Sequence, residues 1–167
     1  MTQTRQVMLF IVGTSHTIQI GSLEFKSFLD ELCRVFNIRA LAEEMSMNAL
    51  EERGSSTTIP MQVASVLQIP HRLCDPNSEQ RDRLGIHQVS DIRRQIFITN
   101  SNLSDSEILK RLEESNARRE RHWLEQLRTL NSWPVLFVCG ADHVASFFRL
   151  ASQEGIITEI AVKDWEQ

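Results

Sequence analysis

Two of the five histidines in this sequence stand three residues after a glycine that ends an apolar run. The first motif is Gly13-Thr-Ser-His16, and the second is Gly140-Ala-Asp-His143. Because glycine lacks a Cβ, it allows a tight turn that can aim the following imidazole across the end of a strand. Imidazole binds metal ions and transfers protons near neutral pH. The matched pair therefore predicts one site to which His16 and His143 both contribute.

Carboxylates come at the ends of two further predicted strands, at Glu43 and Glu44 and at Asp75. Ligands of open α/β sheets bind outside the carboxyl ends of the strands, so these groups should meet the histidines there. Imidazole and carboxylate together suit Zn²⁺ or Mn²⁺. Such an ion would polarise a substrate carbonyl or phosphoryl group and lower the pKa of a bound water to about 7. The predicted metal ligands are His16, Glu43, Glu44 and His143, and Asp75 is an additional candidate.

The same residues also fit ordinary structural roles. His16 would then cap a loop, His143 would lie in the first turn of a helix, and the two glutamates would form surface ion pairs. Side chains alternate along a strand, so Glu43 and Glu44 should point to opposite faces and only one should face the site. The sequence does not choose between them.

A long helix predicted to follow Ser104 has an apolar stripe that is broken near its centre. The stripe consists of Leu109, Leu112, Trp123, Leu127 and Leu130. Asn116 and Arg119 or Glu120 occupy the positions between its two halves. Buried polar groups are costly unless they are paired, so the break predicts a side that faces a wet pocket. Arg119 could bind a substrate anion or a carboxylate, and Glu120 could act as a ligand or general base.

Three further interpretations concern the centre of this helix and the two glycine–histidine motifs. Residues 118–121 could instead form a solvated charge run, with pairs three and four residues apart. Asp142 is a second candidate for proton transfer. Ser15 beside His16 is a weaker candidate nucleophile, because no G-x-S-x-G motif is present.

Short apolar runs alternate with segments of helical periodicity along the chain. The predicted strands are 7–12, 38–42, 70–75, 134–139 and 156–162, and the predicted helices follow Ser22 and Ser104 or cover 61–69 and 142–153. This alternation predicts an α/β three-layer sandwich with a mostly parallel central sheet flanked by helices. A single domain over 1–167 is expected, with a flap or insertion at 48–60 and an irregular segment at 76–103.

Composition excludes several classes of function. The chain has 167 residues, a net charge of -4 and a pI near 5.7, which argue against a protein that wraps nucleic acid or coats an anionic membrane. The three cysteines are odd in number and far apart, as expected in a reducing cytoplasm. The apolar run 7–12 is too short for a signal peptide or a membrane span. We expect a cytoplasmic protein with a small-molecule or peptide substrate, and leave a homo-oligomer open.

The paired glycine–histidine motifs, the acidic pair Glu43-Glu44 and the segment Arg119-Glu-Arg-His-Trp123 resemble the erythromycin esterase, ChaN and TraB/Tiki superfamily. The resemblance spans about residues 7–162 and implies a divalent-metal or otherwise polar hydrolytic centre. By similarity, the centre would include His16, Glu43 or Glu44, and His143, with Arg119 as the helical arginine. This chain is compact and lacks most of the extra helical regions that shape the substrate pocket in larger members.

The leading prediction is therefore a small metal-dependent hydrolase that cleaves an ester, amide or related bond. Glu120 or Asp142 would manage protons beside a metal held by the histidines and acidic residues. The alternative is a non-catalytic module that binds haem, a nucleotide or a partner protein in the same cleft. With one α/β layer using most of the chain, any substrate is expected in a shallow cleft or in one completed by another subunit.

Overall fold

The computed structural model describes residues 7–166, which build one sheet of five parallel strands in the order β3-β2-β4-β1-β5. The strands are β1 (Met8–Thr14), β2 (Ala40–Glu43), β3 (His71–Leu73), β4 (Val135–Gly140) and β5 (Ile157–Val162). Residues 9–14 and 135–139 are buried throughout, as continuous apolar runs covered on both faces should be. Each predicted strand overlaps an observed one.

Within residues 7–166, eight α-helices join the strands. They are α1 (His16–Gly21), α2 (Leu23–Val35), α3 (Met47–Glu52), α4 (Ile59–Leu67), α5 (Ser78–Leu84), α6 (Val89–Thr99), α7 (Asp105–Arg128) and α8 (Val144–Gln153), and a 3₁₀ turn covers Ala141–His143. Helices α2 and α4 pack on one face of the sheet, and α7 and α8 pack on the other. The α/β three-layer sandwich predicted from the sequence is therefore confirmed.

A tight aromatic cluster joins α7 and α8 to the centre of the sheet. The rings of Trp123 and Phe147 lie 5.6 Å apart, and those of Phe137 and Phe147 lie 4.9 Å apart. All three side chains are fully buried. Large aromatic side chains contribute much of the apolar surface removed from water in a core, so this cluster holds α7 firmly above the end of β4.

At the carboxyl ends of the neighbouring strands β1 and β4, the chain continues to opposite faces of the sheet. Strand β1 pairs with β4 so that Thr14 lies beside Gly140. After β1 the chain passes to α1 and α2 on one face, whereas after β4 it passes to α8 on the other. A crevice opens between neighbouring strands whose connections diverge in this way, and such crevices are where open α/β sheets bind ligands.

Three segments contain more helix than the sequence suggested. The segment after β1, to which no helix was assigned before Ser22, holds α1, which Ser15 caps, and the expected flap at 48–60 holds most of α3 and the start of α4. The segment 76–103 contains α5 and α6. These two helices bury few apolar residues, so their periodicity is weak. Their local signals are capping bonds: Asn77 Oδ1 accepts from the Gln80 N–H at 2.8 Å, and the Gln88 N–H donates to Asp91 Oδ2 at 3.0 Å.

None of the helices formed by residues 7–166 combines the length and apolar character needed to cross a membrane.

Gly13 is required because the C-terminal segment runs directly over it. A Cβ at this position would lie 2.0 Å from the Lys163 carbonyl oxygen and 2.6 Å from Val144 Cγ2. The Trp165 N–H donates to the Gly13 carbonyl at 2.7 Å, so the segment cannot move away without losing that bond. The glycine of the first motif thus permits a close backbone approach.

We expect Gly13→Ala to lower the free energy of unfolding by about 3 kcal/mol, because the added methyl group collides with backbone. Gly21→Ala is the matched control, since nothing lies within 4 Å of a Cβ there; it should range from no effect to about 1 kcal/mol of stabilisation. Urea denaturation of both variants checks this. Equal stability of the two variants would contradict the close approach.

Candidate functional site

A cleft of about 580 Å³ lies at the carboxyl ends of β1 and β4, in the crevice described above. Its wall includes both histidines of the glycine–histidine motifs, together with Glu44, Arg119 and Asp142. Residues 164–166 border it on the side of β1. His16 and His143, which the sequence analysis assigned to one site, thus line the same cleft.

Arg119 lies between two buried carboxylates. Its Nε and Nη2 donate to the Asp75 carboxylate at 2.6 and 3.0 Å, and its Nη2 lies 2.7 Å from Glu44 Oε1. Burial alone would lower the pKa of Arg119, but the charge of Glu44 and the hydrogen bond to Asp75 raise it above its usual value. The guanidinium is therefore a fixed cation at the wall of the cleft. Of the two partners predicted for Arg119, a substrate anion or a carboxylate, the structure shows carboxylates in contact with it.

Asp75 uses both carboxylate oxygens to hold α5 and α7 at the end of β3. Oδ1 also accepts from Trp123 Nε1 at 2.9 Å, and Oδ2 accepts from Arg81 Nη2 at 2.5 Å. Burial works to raise the pKa of Asp75, but the Arg119 hydrogen bonds and the charges of Arg119 and Arg81 hold it below its usual value. Asp75 is absent from the wall of the cleft, so it holds Arg119 from the side that faces away from the cleft.

Glu44 ties the second glycine motif to β2. Its Oε2 accepts from the Gly140 N–H at 2.6 Å, and a Cβ on Gly140 would lie 3.2 Å from the same oxygen. A side chain at position 140 would crowd this contact. Both glycines of the paired motifs therefore allow close contacts at the edge of the sheet.

His143 forms a pair with Glu120 on α7. Its Nδ1 lies 2.8 Å from Glu120 Oε1, which also accepts from Ser146 Oγ at 2.6 Å. The Trp123 ring meets the imidazole edge-on at 5.0 Å. Burial acts to lower the pKa of His143, but the Glu120 hydrogen bond and the charge of Glu44 outweigh it, so the pKa lies above its ordinary value. Glu120 thus fixes both the orientation and the basicity of this ring.

His16 lies on the other side of the cleft, in the first turn of α1. Its Nδ1 lies 3.1 Å from Gln19 Oε1, and its Nε2 lies 3.7 Å from Glu44 Oε1. Ser15 accepts from the Ile18 N–H through its side chain and acts as the helix cap. Ser15 is thus occupied by a structural hydrogen bond.

Glu43 belongs to a different cluster, on the opposite side of β2. Its carboxylate contacts Gln19 Nε2 and Thr58 Oγ1, and its Oε1 lies 2.7 Å from His71 Nε2. The strand alternation expected from the sequence holds, and the structure assigns Glu44 to the cleft and Glu43 to the layer of α1 and α4.

The four predicted metal ligands do not form a metal-binding group. Within residues 7–166, no set of three or more His, Cys, Asp or Glu side chains is arranged to hold an ion. The oxygens of Glu44 are engaged by Arg119 and the Gly140 N–H, and Glu43 faces away. A guanidinium beside Glu44 would also repel a divalent cation. The four side chains are therefore not preassembled as a metal centre among the described residues, and the bound ion stays a prediction.

The central turns of α7 divide their polar residues between two environments. Arg119 lines the cleft and Glu120 bonds to His143 outside its wall, whereas Arg118 donates to the Gly85 carbonyl and Arg121 pairs with Glu154 on the surface. Asp142 is exposed in the wall of the cleft. Asn116 is half-buried and lies outside that wall.

Several residues of the site were missed by the sequence interpretation: Gln19, Thr58, His71, Arg81, Trp123 and Ser146. Trp123 follows Arg119 by four residues on α7, a spacing that places both on one face of a helix. The others come from distant segments and carry no local signal.

Comparisons with protein-family models, curated proteins and solved structures give no match.

Asp75→Asn should lower the free energy of unfolding by about 3–5 kcal/mol at pH 7, because it leaves Arg119 and Arg81 without the charge that compensates them. The folded-state pKa of Asp75 is depressed, so its contribution is present above the unfolded value of about 3.9 and is lost as the pH falls through the folded value. Urea denaturation at several pH values should show the variant and the parent converging below about pH 4. An equal difference at all pH values would contradict an ionic role for Asp75.

Proposed function

We propose that this protein is a hydrolase that cleaves an ester, amide or related bond in the cleft between β1 and β4, with His143 as the general base. The His143–Glu120 pair carries the proposal. A carboxylate oxygen accepts hydrogen bonds, so the Nδ1 that faces Glu120 carries the hydrogen and the neutral ring keeps its lone pair on Nε2. No residue of the segment 7–166 forms a hydrogen bond with that Nε2.

The free ring nitrogen is accessible from the cleft. No buried side-chain nitrogen or oxygen within 7–166 lacks a hydrogen-bond partner. An atom without a partner is therefore in contact with solvent, and this applies to His143 Nε2 and to Arg119 Nη1. Both residues line the same cleft.

These groups supply the two requirements of hydrolysis. His143 Nε2 takes a proton from a water as it attacks the substrate carbonyl, and Glu120 stabilises the imidazolium that forms. Arg119 offers its charge and Nη1 donor to the oxyanion that develops, and Asp75 and Glu44 hold the guanidinium in place beforehand. The His143 imidazolium then gives this proton to the leaving group, and the neutral His16 ring can accept the proton of the remaining hydroxyl as the intermediate collapses to the acid.

The cleft favours neutral or cationic substrates. Its border carries the exposed carboxylates Asp142, Asp164 and Glu166, and Arg119, the one lysine or arginine in the described wall, is already paired. A negative border lowers the local concentration of anions. Carboxylic esters and amides thus suit the cleft better than phosphoesters.

The resemblance to the erythromycin esterase, ChaN and TraB/Tiki superfamily supports the same reaction class. Within that class, the engagement of Glu44 by Arg119 favours water activation by His143 over activation by Zn²⁺ or Mn²⁺. The metal-dependent form stays a prediction, and a chelator distinguishes the two.

The full chain should hydrolyse members of a panel of neutral and cationic esters and amides, with equal rates before and after EDTA treatment. His143→Asn should lower kcat/KM by about 10²–10⁴-fold, the usual loss for a general base. His122→Asn is the matched control, because His122 is half-buried on α7 and outside the wall of the cleft.

Three results would contradict this assignment. Loss of activity with EDTA, restored by one divalent metal, would favour the metal-dependent form. Equal activity of His143→Asn and His122→Asn would exclude His143 as the base. Saturable binding of haem or a nucleotide without turnover would support a binding module instead.

The pH profile tests the Glu120–His143 pair. Only neutral His143 can accept a proton, so kcat/KM should rise with pH to a plateau, with its midpoint above the ordinary histidine pKa of about 6.5. Glu120→Gln removes the charge-assisted bond that raises this pKa against burial, so the midpoint should move to lower pH and the plateau should fall. Initial rates across the pH range measure both effects, and an unmoved midpoint would contradict the pairing.

A further inference from the structure

We propose that Gln19 is a positioning residue that holds His16 in the tautomer with its hydrogen on Nδ1, and that Glu43 fixes the orientation of the Gln19 amide. Only the catalytic consequence of this arrangement rests on the proposed hydrolase function. The tautomer itself is a property of the ligand-free protein.

The contacts of Gln19 determine which end of its amide faces His16. Gln19 is completely buried, and its Nε2 donates to Glu43 Oε2 and, at 3.5 Å, to the Glu44 main-chain carbonyl. Both partners are oxygens that accept hydrogen bonds. The NH₂ end must therefore point towards them, and the carbonyl end, Oε1, is left 3.1 Å from His16 Nδ1.

An amide oxygen can only accept, so His16 Nδ1 must carry the hydrogen. The lone pair of the neutral ring is then on Nε2, at the cleft and 3.7 Å from Glu44 Oε1. In the opposite tautomer, Nε2 would carry a hydrogen and would be drawn to the Glu44 carboxylate. The orientation of Gln19 thus decides whether His16 can accept a proton in the cleft.

Glu43 is placed to prevent rotation of the amide. It is completely buried, and its carboxylate is held by Thr58 Oγ1 and by His71 Nε2 at 2.7 Å. If the Gln19 amide rotated, two oxygens would face each other in a buried site, which is costly. The cluster of Glu43, Thr58 and His71 therefore has a role for a cleft that it does not touch.

Different groups therefore hold the two histidines of the cleft in the same tautomer. Glu120 holds the Nδ1 hydrogen of His143, and Gln19 holds that of His16. In the proposed hydrolase both rings then present an Nε2 lone pair to a substrate.

Long-range ¹H–¹⁵N correlation NMR of the ¹⁵N-labelled full chain identifies the tautomer of each ring. The spectra are recorded at about pH 9, where histidines with ordinary pKa values near 6.5 are neutral, and His16→Asn assigns the signals. The parent protein should show the Nδ1–H tautomer at His16. Glu43→Gln places a donor beside Gln19, allows its amide to rotate, and should shift the His16 tautomer ratio by about tenfold towards Nε2–H.

Gln19→Leu provides a second variant that removes the acceptor directly, and it should also abolish the preference for Nδ1–H. Gln62→Leu is the matched control, because Gln62 on α4 is half-buried and bonds to Lys26 and Thr57 outside the cleft. It should leave the His16 signals unchanged, and the His143 tautomer should be the same in every variant.

An Nε2–H tautomer of His16 in the parent protein would overturn the proposal, as would an unchanged tautomer in both Gln19→Leu and Glu43→Gln. Absence of hydrolysis together with the expected tautomers would reject the hydrolase and leave the role of Gln19 intact. Hydrolysis together with an Nε2–H tautomer at His16 would reject the role of Gln19 and leave the hydrolase intact. In the hydrolase, Gln19→Leu should lower kcat about tenfold or more with little change in KM, as expected when a group that acts in the transition state is mispositioned.

Discussion

The contact of Arg119 with Asp75 and Glu44 is the interaction on which the functional edge of this protein depends. It joins α7 to the ends of β2 and β3 with one guanidinium. Buried charges are tolerated only when they are paired and hydrogen-bonded, and breaking such a pair typically costs about 3–5 kcal/mol. The long helix is therefore fixed in rotation relative to the sheet, and this sets the positions of Arg119 at the cleft and of Glu120 beside His143.

The orientation of His143 follows from this constraint. Glu120 is adjacent to Arg119 on α7, and Trp123 lies one turn further on, where its indole donates to Asp75 and packs against the imidazole. The Arg119 guanidinium also lies 5.1 Å from the centre of the Trp123 ring. Glu120, which bonds to His143, and Arg119, the cation of the cleft, thus share one helix, and this limits the movement of the carboxylate that orients the imidazole.

The edge of the sheet carries two polar clusters that β2 separates. Glu44 joins the cluster of Arg119 and Asp75, whereas Glu43 joins Gln19, Thr58 and His71. His16 is the link, since it contacts Gln19 through one ring nitrogen and lies near Glu44 with the other. One acidic dipeptide therefore organises both sides of the cleft, because adjacent strand residues face opposite ways.

The sequence by itself determined which segments form strands, the fold class, and the two glycine–histidine motifs that lie at the site. Continuous apolar runs and helical periodicity are local patterns, so they can be recognised without a structure. Periodicity failed at 76–103, where α5 and α6 bury few apolar residues and their capping bonds were the main signal. The polar break in α7 drew attention to Arg119, which lines the cleft, and to Glu120, which bonds to His143. Only the tertiary structure decided that Glu44 rather than Glu43 faces the cleft, that Asp75 lies behind Arg119, and that Gln19 holds His16. These contacts depend on which hydrogen-bond donors from distant parts of the chain lie beside each carboxylate. The spacing of residues along the chain does not show which distant residues come together.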